Sequence, residues 1–254
     1  MRSNEGLGGN ATTAETSTPL AALPLGEQLE RLRSQMAAIS SRTTDHKALN
    51  PQCGRDVLAA PGGLEQLLPA RGLPKGTVVA CSGTSLLLGM LAAATQDGTF
   101  AAVIGYRQLC WLAAVEMGAD LSRLAHIPDA GDNALKVLGV LLDGLDMVVL
   151  DLSGAAISPS RSRPLVARVR SHRSVLVVTS GDWPGPDLRL DSRPAAYGGI
   201  EGGVGRIQSI HLDVRVSGKG IRPRAGRLVL SSTSSGHTSW SMRDPAPDRL
   251  AHIG

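Results

Sequence analysis

Aromatic side chains are nearly missing: three Trp, two Tyr and one Phe make up 2% of 254 residues. A core must therefore be built from Leu, Val, Ile and Ala, and there is little with which to stack nucleic-acid bases. Cysteine is equally scarce. Cys53, Cys81 and Cys110 show no metal-ligand spacing and cannot all pair, so a disulfide framework is excluded and a reduced, cytosolic compartment fits. The N-terminal stretch MRSNEGLGGNATTAETSTP has no apolar signal-peptide core. The apolar run Thr77–Thr95 approaches spanning length, but Ser82, Gly83, Thr84 and Ser85 interrupt it, so it reads as strand, loop and helix and no membrane segment is expected. The most consequential absence is lysine: none stands between Lys75 and Lys136.

That absence matters because of what surrounds it. GLPKGTVVACSG, Gly72–Gly83, reads as turn, strand and glycine-containing loop, and Leu86–Gln96 as the helix after it. A phosphate-binding loop of the pattern G-x-x-x-x-G-K-[ST] supplies backbone N–H groups, a lysine and a metal-binding hydroxyl. Counted from Gly83, those last three positions hold Leu88, Gly89 and Met90. The scaffold is present and the groups that handle a nucleotide are not.

The rest of the chain divides by composition. Residues 1–19 are small and polar and read as a disordered lead. Residues 20–41 read as an N-terminal helix, with Leu25, Leu29, Leu32, Met36 and Ile39 on one stripe. That stripe packs either on its own domain or on a partner or second copy of the chain. A linker, 42–56, leads to a core at 57–231 in which strands and helices alternate. Its strands are expected at Thr77–Cys81, Phe100–Gly105, His126–Pro128, Met147–Leu152 and Ser174–Thr179, and its helices at Leu64–Leu68, Leu86–Gln96, Gln108–Met117, Ala134–Leu142 and Pro164–Ser171. Continuous apolar strands between helices imply an α/β fold with a mostly parallel sheet covered on both faces. Arg206–Val216 and Arg227–Ser231 alternate apolar and polar residues, which predicts an antiparallel hairpin at the sheet edge. Residues 232–254 read as a flexible tail.

In this order and spacing, GLPKGTVVACSG, FAAVIGYRQLCWLAAVEMGADLSRLAHIPDA, DMVVLDLSGAAISP and SIHLDVRVSG resemble the RecA core. GYRQLCWLAAVEMGADLSRLA, VLGVLLDGLDMVVLDL and VLVVTSGDWPGPDLRLDSR are similar, more narrowly, to actinobacterial ImuA-type proteins. The resemblance implies that Asp151 matches the family's metal-associated aspartate, and that Arg107 stands where the family carries the glutamate that positions attacking water. A cation cannot act as that base. The resemblance, with these departures, implies a non-catalytic RecA-like accessory protein with no cofactor and no metal. It places the chain in damage-induced mutagenesis (translesion synthesis), beside an inactive Y-family polymerase homologue and an error-prone C-family polymerase, in the cytoplasm and at the nucleoid. Two other readings stay open: a SulA-type inhibitor of cell division, and a weak ATP- or DNA-dependent enzyme using an unconventional loop.

Individual residues carry paired readings. Gly83, Thr84 and Ser85 are either an anion nest left from the loop or a turn with Thr84 or Ser85 as helix N-cap. Asp151 is a metal-site remnant or a structural carboxylate. Arg161, Arg163, Arg168, Arg170 and Arg173, with Lys219, Arg222 and Arg224 on a basic turn, are either weak DNA phosphate contacts or solvated charge; the net charge of +4 permits both. Trp183, in GDWPGP, is a partner-contact anchor or is buried against the sheet.

Overall fold

A computed structural model describes residues 56–201, 204–233 and 236–243. The stripe Leu25–Ile39, the lead before it and the linker through residue 55 lie outside the described residues.

One nine-stranded mixed sheet organises this part of the chain. β3 (Thr77–Ser82), β4 (Ala101–Ile104), β5 (Leu124–Ile127), β6 (Met147–Asp151), β7 (Val175–Thr179) and the start of β8 (Leu188–Glu201) pair in parallel, in the spatial order β8-β3-β7-β6-β4-β5. β9 (Val204–Gly218), β10 (Ile221–Ser232) and β11 (Thr238–Arg243) extend the β8 edge as antiparallel neighbours. A small ribbon, β1 (Val57–Leu58) with β2 (Leu73–Pro74), closes the entry. The helices are α1 (Leu64–Leu67), α2 (Thr84–Gln96), α3 (Trp111–Glu116), α4 (Ala134–Gly144) and α5 (Pro159–His172). Among the described residues, no helix is long and apolar enough to cross a membrane.

Period-two alternation divides the core into two layers. Val79, Cys81, Val103, Val149 and Val177 face one side, where Leu64 and Leu67 of α1, Leu86, Leu87, Met90 and Leu91 of α2, and Ala114 of α3 cover them. Val78, Ile104, Val148, Leu150, Leu176 and Val178 face the other, under Leu138 and Leu142 of α4 and Leu165 and Val169 of α5. Helix α2 is apolar on nearly every side because it is enclosed on nearly every side: Leu86 through Ala92, Ala94 and Thr95 are all buried. That enclosure explains the long apolar run without a membrane.

The parallel half agrees with expectation to within a few residues per element. The antiparallel half is larger than the hairpin expected. β8 is an additional strand, and the segment expected to be a flexible tail contains β11, paired with β10 from Arg227↔Arg243 to Ser232↔Thr238. β11 is held by more than its ladder. The Trp240 ring lies against α2 at Gly89, where an added Cβ would meet Cζ2 and would sit 2.9 Å from Cη2 and 3.0 Å from Cε2. Only a residue without a side chain leaves that ring its seat.

Candidate functional site at the carboxyl ends of the parallel strands

In a sheet of this kind, ligands bind in the crevice beyond the strand carboxyl ends, where the direction of winding reverses. Here β4 and β6 are neighbours whose onward connections lead to opposite sides of the sheet, to β5 and to β7. A cleft of about 570 Å³ opens at that point, lined by Tyr106, Arg107, Asp129, Asp151, Ser153 and Ser180, among others. A smaller space of about 170 Å³ lies beside it, under Ser82, Gly83, Tyr106 and Ser180.

The backbone is strained around this cleft. Tyr106 (φ 57°), Ser153 (φ 49°) and Ser180 (φ 52°) come just after β4, β6 and β7, all in the left-handed region. That conformation costs a non-glycine residue about 1–2 kcal/mol. Its recurrence at three adjacent strand exits marks the place where the chain is bent to present particular groups.

What those groups can do is set by their partners. β3 passes into α2 through Gly83 alone (φ 97°). A Cβ there would run into the Ser192 hydroxyl and lie 3.0 Å from the Ser192 carbonyl oxygen, so β8 closes over the turn. A phosphate loop needs several residues between strand and helix to wrap an anion; this connection has one. Gly83 itself occupies the N-cap position, with no side-chain hydrogen bond to the helix start, which corrects the reading of Thr84 or Ser85 as cap. The Thr84 hydroxyl instead pairs with the Tyr106 phenol at 2.8 Å. Leu88, Gly89 and Met90 lie within α2 and are buried. Gly89 is five residues past the first helical residue, about 7.5 Å along the axis.

Asp151 ends β6 with its carboxylate engaged. It accepts from the Ser153 backbone N–H at 3.2 Å, from the Ser153 hydroxyl at 3.3 Å and from the Thr179 hydroxyl at 3.4 Å. Arg107 stands at the exposed rim and pairs with Asp129. The Asp129 carboxyl is held below the usual carboxylate range, first by the backbone N–H of Gly131 and then by the Arg107 charge. The cleft thus presents one guanidinium against two carboxylates, the wrong balance for drawing in a polyphosphate. Among the described residues, no group of three or more His, Cys, Asp or Glu could hold a metal ion.

The remaining candidates are dispersed. Trp183 is 3% exposed and packs with the α4–α5 layer, which rules it out as an exposed anchor. Several of the expected DNA-contacting cations are committed within the chain. Arg168 donates to the Gly139 carbonyl at 2.7 Å and pairs with Asp143. Arg173 pairs with Asp56. Arg224 reaches the carbonyls of Gln66 and Leu68, securing α1. Arg170 and Lys219 converge on one carboxylate, Asp187, at 3.9 and 3.7 Å, so α5 and the basic turn do meet. Arg161, Arg163 and Arg222 are exposed, and Arg222 and Arg224 belong to β10 and not to the turn expected, which holds only Lys219 and Gly220. Tyr106, Asp129, Ser153 and Ser180 join the site without having stood out in the sequence: a left-handed non-glycine residue such as Tyr106, Ser153 or Ser180 has no sequence signature, and only the fold brings Asp129 to Arg107.

A family model described as the MT3502 N-terminal domain matches residues 66–185, the parallel half of the sheet together with the cleft. The uncharacterized protein Rv3395c of Mycobacterium tuberculosis is 43% identical over 203 residues, covering 76% of this chain and 93% of that protein. At that identity and coverage the chain belongs to the same family as the mycobacterial protein Rv3395c.

Proposed function

We propose that this chain is a RecA-like accessory protein that acts by assembly, without nucleotide turnover, in damage-induced mutagenesis. The single observation that carries the non-catalytic part is the β3–α2 connection. One residue, Gly83, stands where a phosphate cradle needs a loop, and the lysine position falls inside a buried helix. The acid-dominated cleft and the pairing of Arg107 with Asp129 support the same reading. The RecA-like part is supported by the strand order β8-β3-β7-β6-β4-β5, with helices on both faces and an antiparallel extension. Placement beside an inactive Y-family polymerase homologue and an error-prone C-family polymerase rests on the resemblance to ImuA-type proteins.

The test has two arms. ATP binding and steady-state hydrolysis, with and without single-stranded DNA, should stay at background; hydrolysis that co-purifies with the protein and disappears in Asp151→Ala would defeat the non-catalytic reading. Affinity capture of the native chain from damaged cells should recover the polymerase homologue, and Leu29→Asp with Leu32→Asp should abolish that recovery if the N-terminal stripe is the contact. Capture of the cell-division protein in place of the polymerases would replace this function with the inhibitor reading.

A further inference from the structure

Among the described residues, the parallel half of the sheet is covered by helices on both faces, but the antiparallel extension is covered on one. Leu188, Leu190, Leu212, Val214, Val216, Leu228 and Leu230 all belong to the layer under α1 to α3. The α4–α5 layer contains no residue of β8, β9 or β10. On that second side the strands present alternate residues: Arg189, Asp191 and Arg193 on β8, Asp213 and Arg215 on β9, and Arg227 on β10. Except for Arg189, these residues line an open cleft of about 780 Å³, larger than the one at the strand carboxyl ends.

The charges on this face are not balanced. Four guanidiniums stand against two carboxylates, and both carboxylates are already engaged. Asp213 accepts from Arg227 Nε at 2.7 Å, and Asp191 accepts from the Ser82 hydroxyl at 3.2 Å. Arg189, Arg193 and Arg215 form no close ion pair among the described residues, although the Arg193 charge does act on Asp213, directly opposite it in register. Arg215 lies directly across from Asp191, between Arg189 and Arg193 in register and one strand over. Strand geometry spreads the three cations over about 13 Å along β8 and about 5 Å across it. That length covers the rise of about four nucleotides of one strand.

We infer that this uncovered face of β8 to β10 binds the phosphodiester backbone of nucleic acid without sequence preference, through Arg189, Arg193 and Arg215. A guanidinium's planar fork matches phosphate oxygens, and strand-borne side chains are well positioned for it. Among the described residues the strands turn no Trp, Tyr or Phe to this face for base stacking, so the contact is to backbone. Apart from Ala225, His211 and the half-buried Val229, which alternate with these charges, the face offers a protein partner little apolar surface, which favours nucleic acid over an acidic protein. These are different residues from the exposed Arg161 and Arg163 of α5 and Arg222 near the start of β10, and the inference does not depend on the polymerase assembly.

The test is fluorescence anisotropy of labelled 30-mers, single- and double-stranded, across a salt series. The wild-type protein should bind both in unrelated sequences. R189A/R193A/R215A should weaken binding about tenfold or more at low salt, and lower the salt slope on single strands by about two. R161A/R163A/R222A removes the same charge elsewhere and should stay within about threefold of wild type. Circular dichroism checks the fold, and Arg215→Glu alone, on an exposed strand position, should give a several-fold loss if the triple variant misfolds. The inference is overturned if the wild type binds neither nucleic acid, if the two triple variants lose affinity equally, or if polyglutamate competes as well as DNA at equal charge.

Discussion

The seat of Trp240 on Gly89 yields a prediction whose sign depends on the structure. Gly89 is in the middle of α2, where alanine is ordinarily better than glycine by about 1 kcal/mol. Here an added methyl would overlap the indole at Cζ2 and press on Cη2 and Cε2 at 2.9 and 3.0 Å. The ring is rigid and partly buried, so it cannot swing away as a lysine tip would, and overpacking of this kind costs about 1–3 kcal/mol. In the wild-type background Gly89→Ala should therefore destabilise by about 1 kcal/mol net, lowering Tm by roughly 2–4 °C for a chain of this size. With Trp240→Ala already in place the overlap is gone, and the same substitution should stabilise by about 1 kcal/mol. The difference, a coupling of about 2 kcal/mol, is read from urea midpoints of the four proteins by far-UV circular dichroism. Equal effects of Gly89→Ala in both backgrounds would refute the docking of β11 and return residues 238–243 to the tail they resemble in sequence. Gly89→Lys, which restores the missing lysine by count, should unseat Trp240 and give no ATP hydrolysis.

Charge sets two further outcomes. Lys75 and Asp146 form a buried pair, at 3.4 Å with side chains 4% and 7% exposed, joining the β2–β3 turn to the entry of β6. Lys75→Met leaves that carboxylate without its cation and should cost about 3–5 kcal/mol, while Lys75→Met with Asp146→Leu should recover most of it in urea denaturation. In acid, Asp120, Asp129 and Asp213 lose their stabilising partners: Ser122 hydrogen bonds hold Asp120 low, the Gly131 N–H holds Asp129 low, and Arg227 holds Asp213 low. Their folded values lie below the unfolded ones, so the unfolded chain takes protons first; the contribution is full above about pH 4 and fades as pH falls through the folded values. Asp213→Asn should flatten the urea midpoint's decline below about pH 4, and an unchanged slope would show that the Arg227 contact does not persist in solution.

How much of the fold is legible in the sequence depends on which face of the sheet is covered. Strands β3, β4, β6 and β7 are buried on both faces, so their side chains are apolar without interruption and announce themselves as runs such as MVVLD and VLVVT. Helix starts are less legible because they are polar: α5 begins at Pro159, within PSRSR, five residues before the expected Pro164. Among the described residues, β8 and β11 are covered on one face only, and their signal is correspondingly thin. In β8 the alternation of Leu188 and Leu190 gives way at Pro194, with irregular register at Pro194/Ala196 and Gly198/Ile200. In β11 only Trp240 and Met242 are apolar. The same asymmetry hides the basic face. Arg189, Arg193, Arg215 and Arg227 are separated along the chain, and nothing local unites them; antiparallel register does. The contiguous run Arg161–Arg173 looks more basic, yet α4, Asp187 and Asp56 engage Arg168, Arg170 and Arg173 there. A charge run on a helix is divided among that helix's neighbours, whereas charges on alternate residues of adjacent strands all point one way. On an uncovered sheet the second arrangement, invisible as a run, is the one that concentrates positive charge.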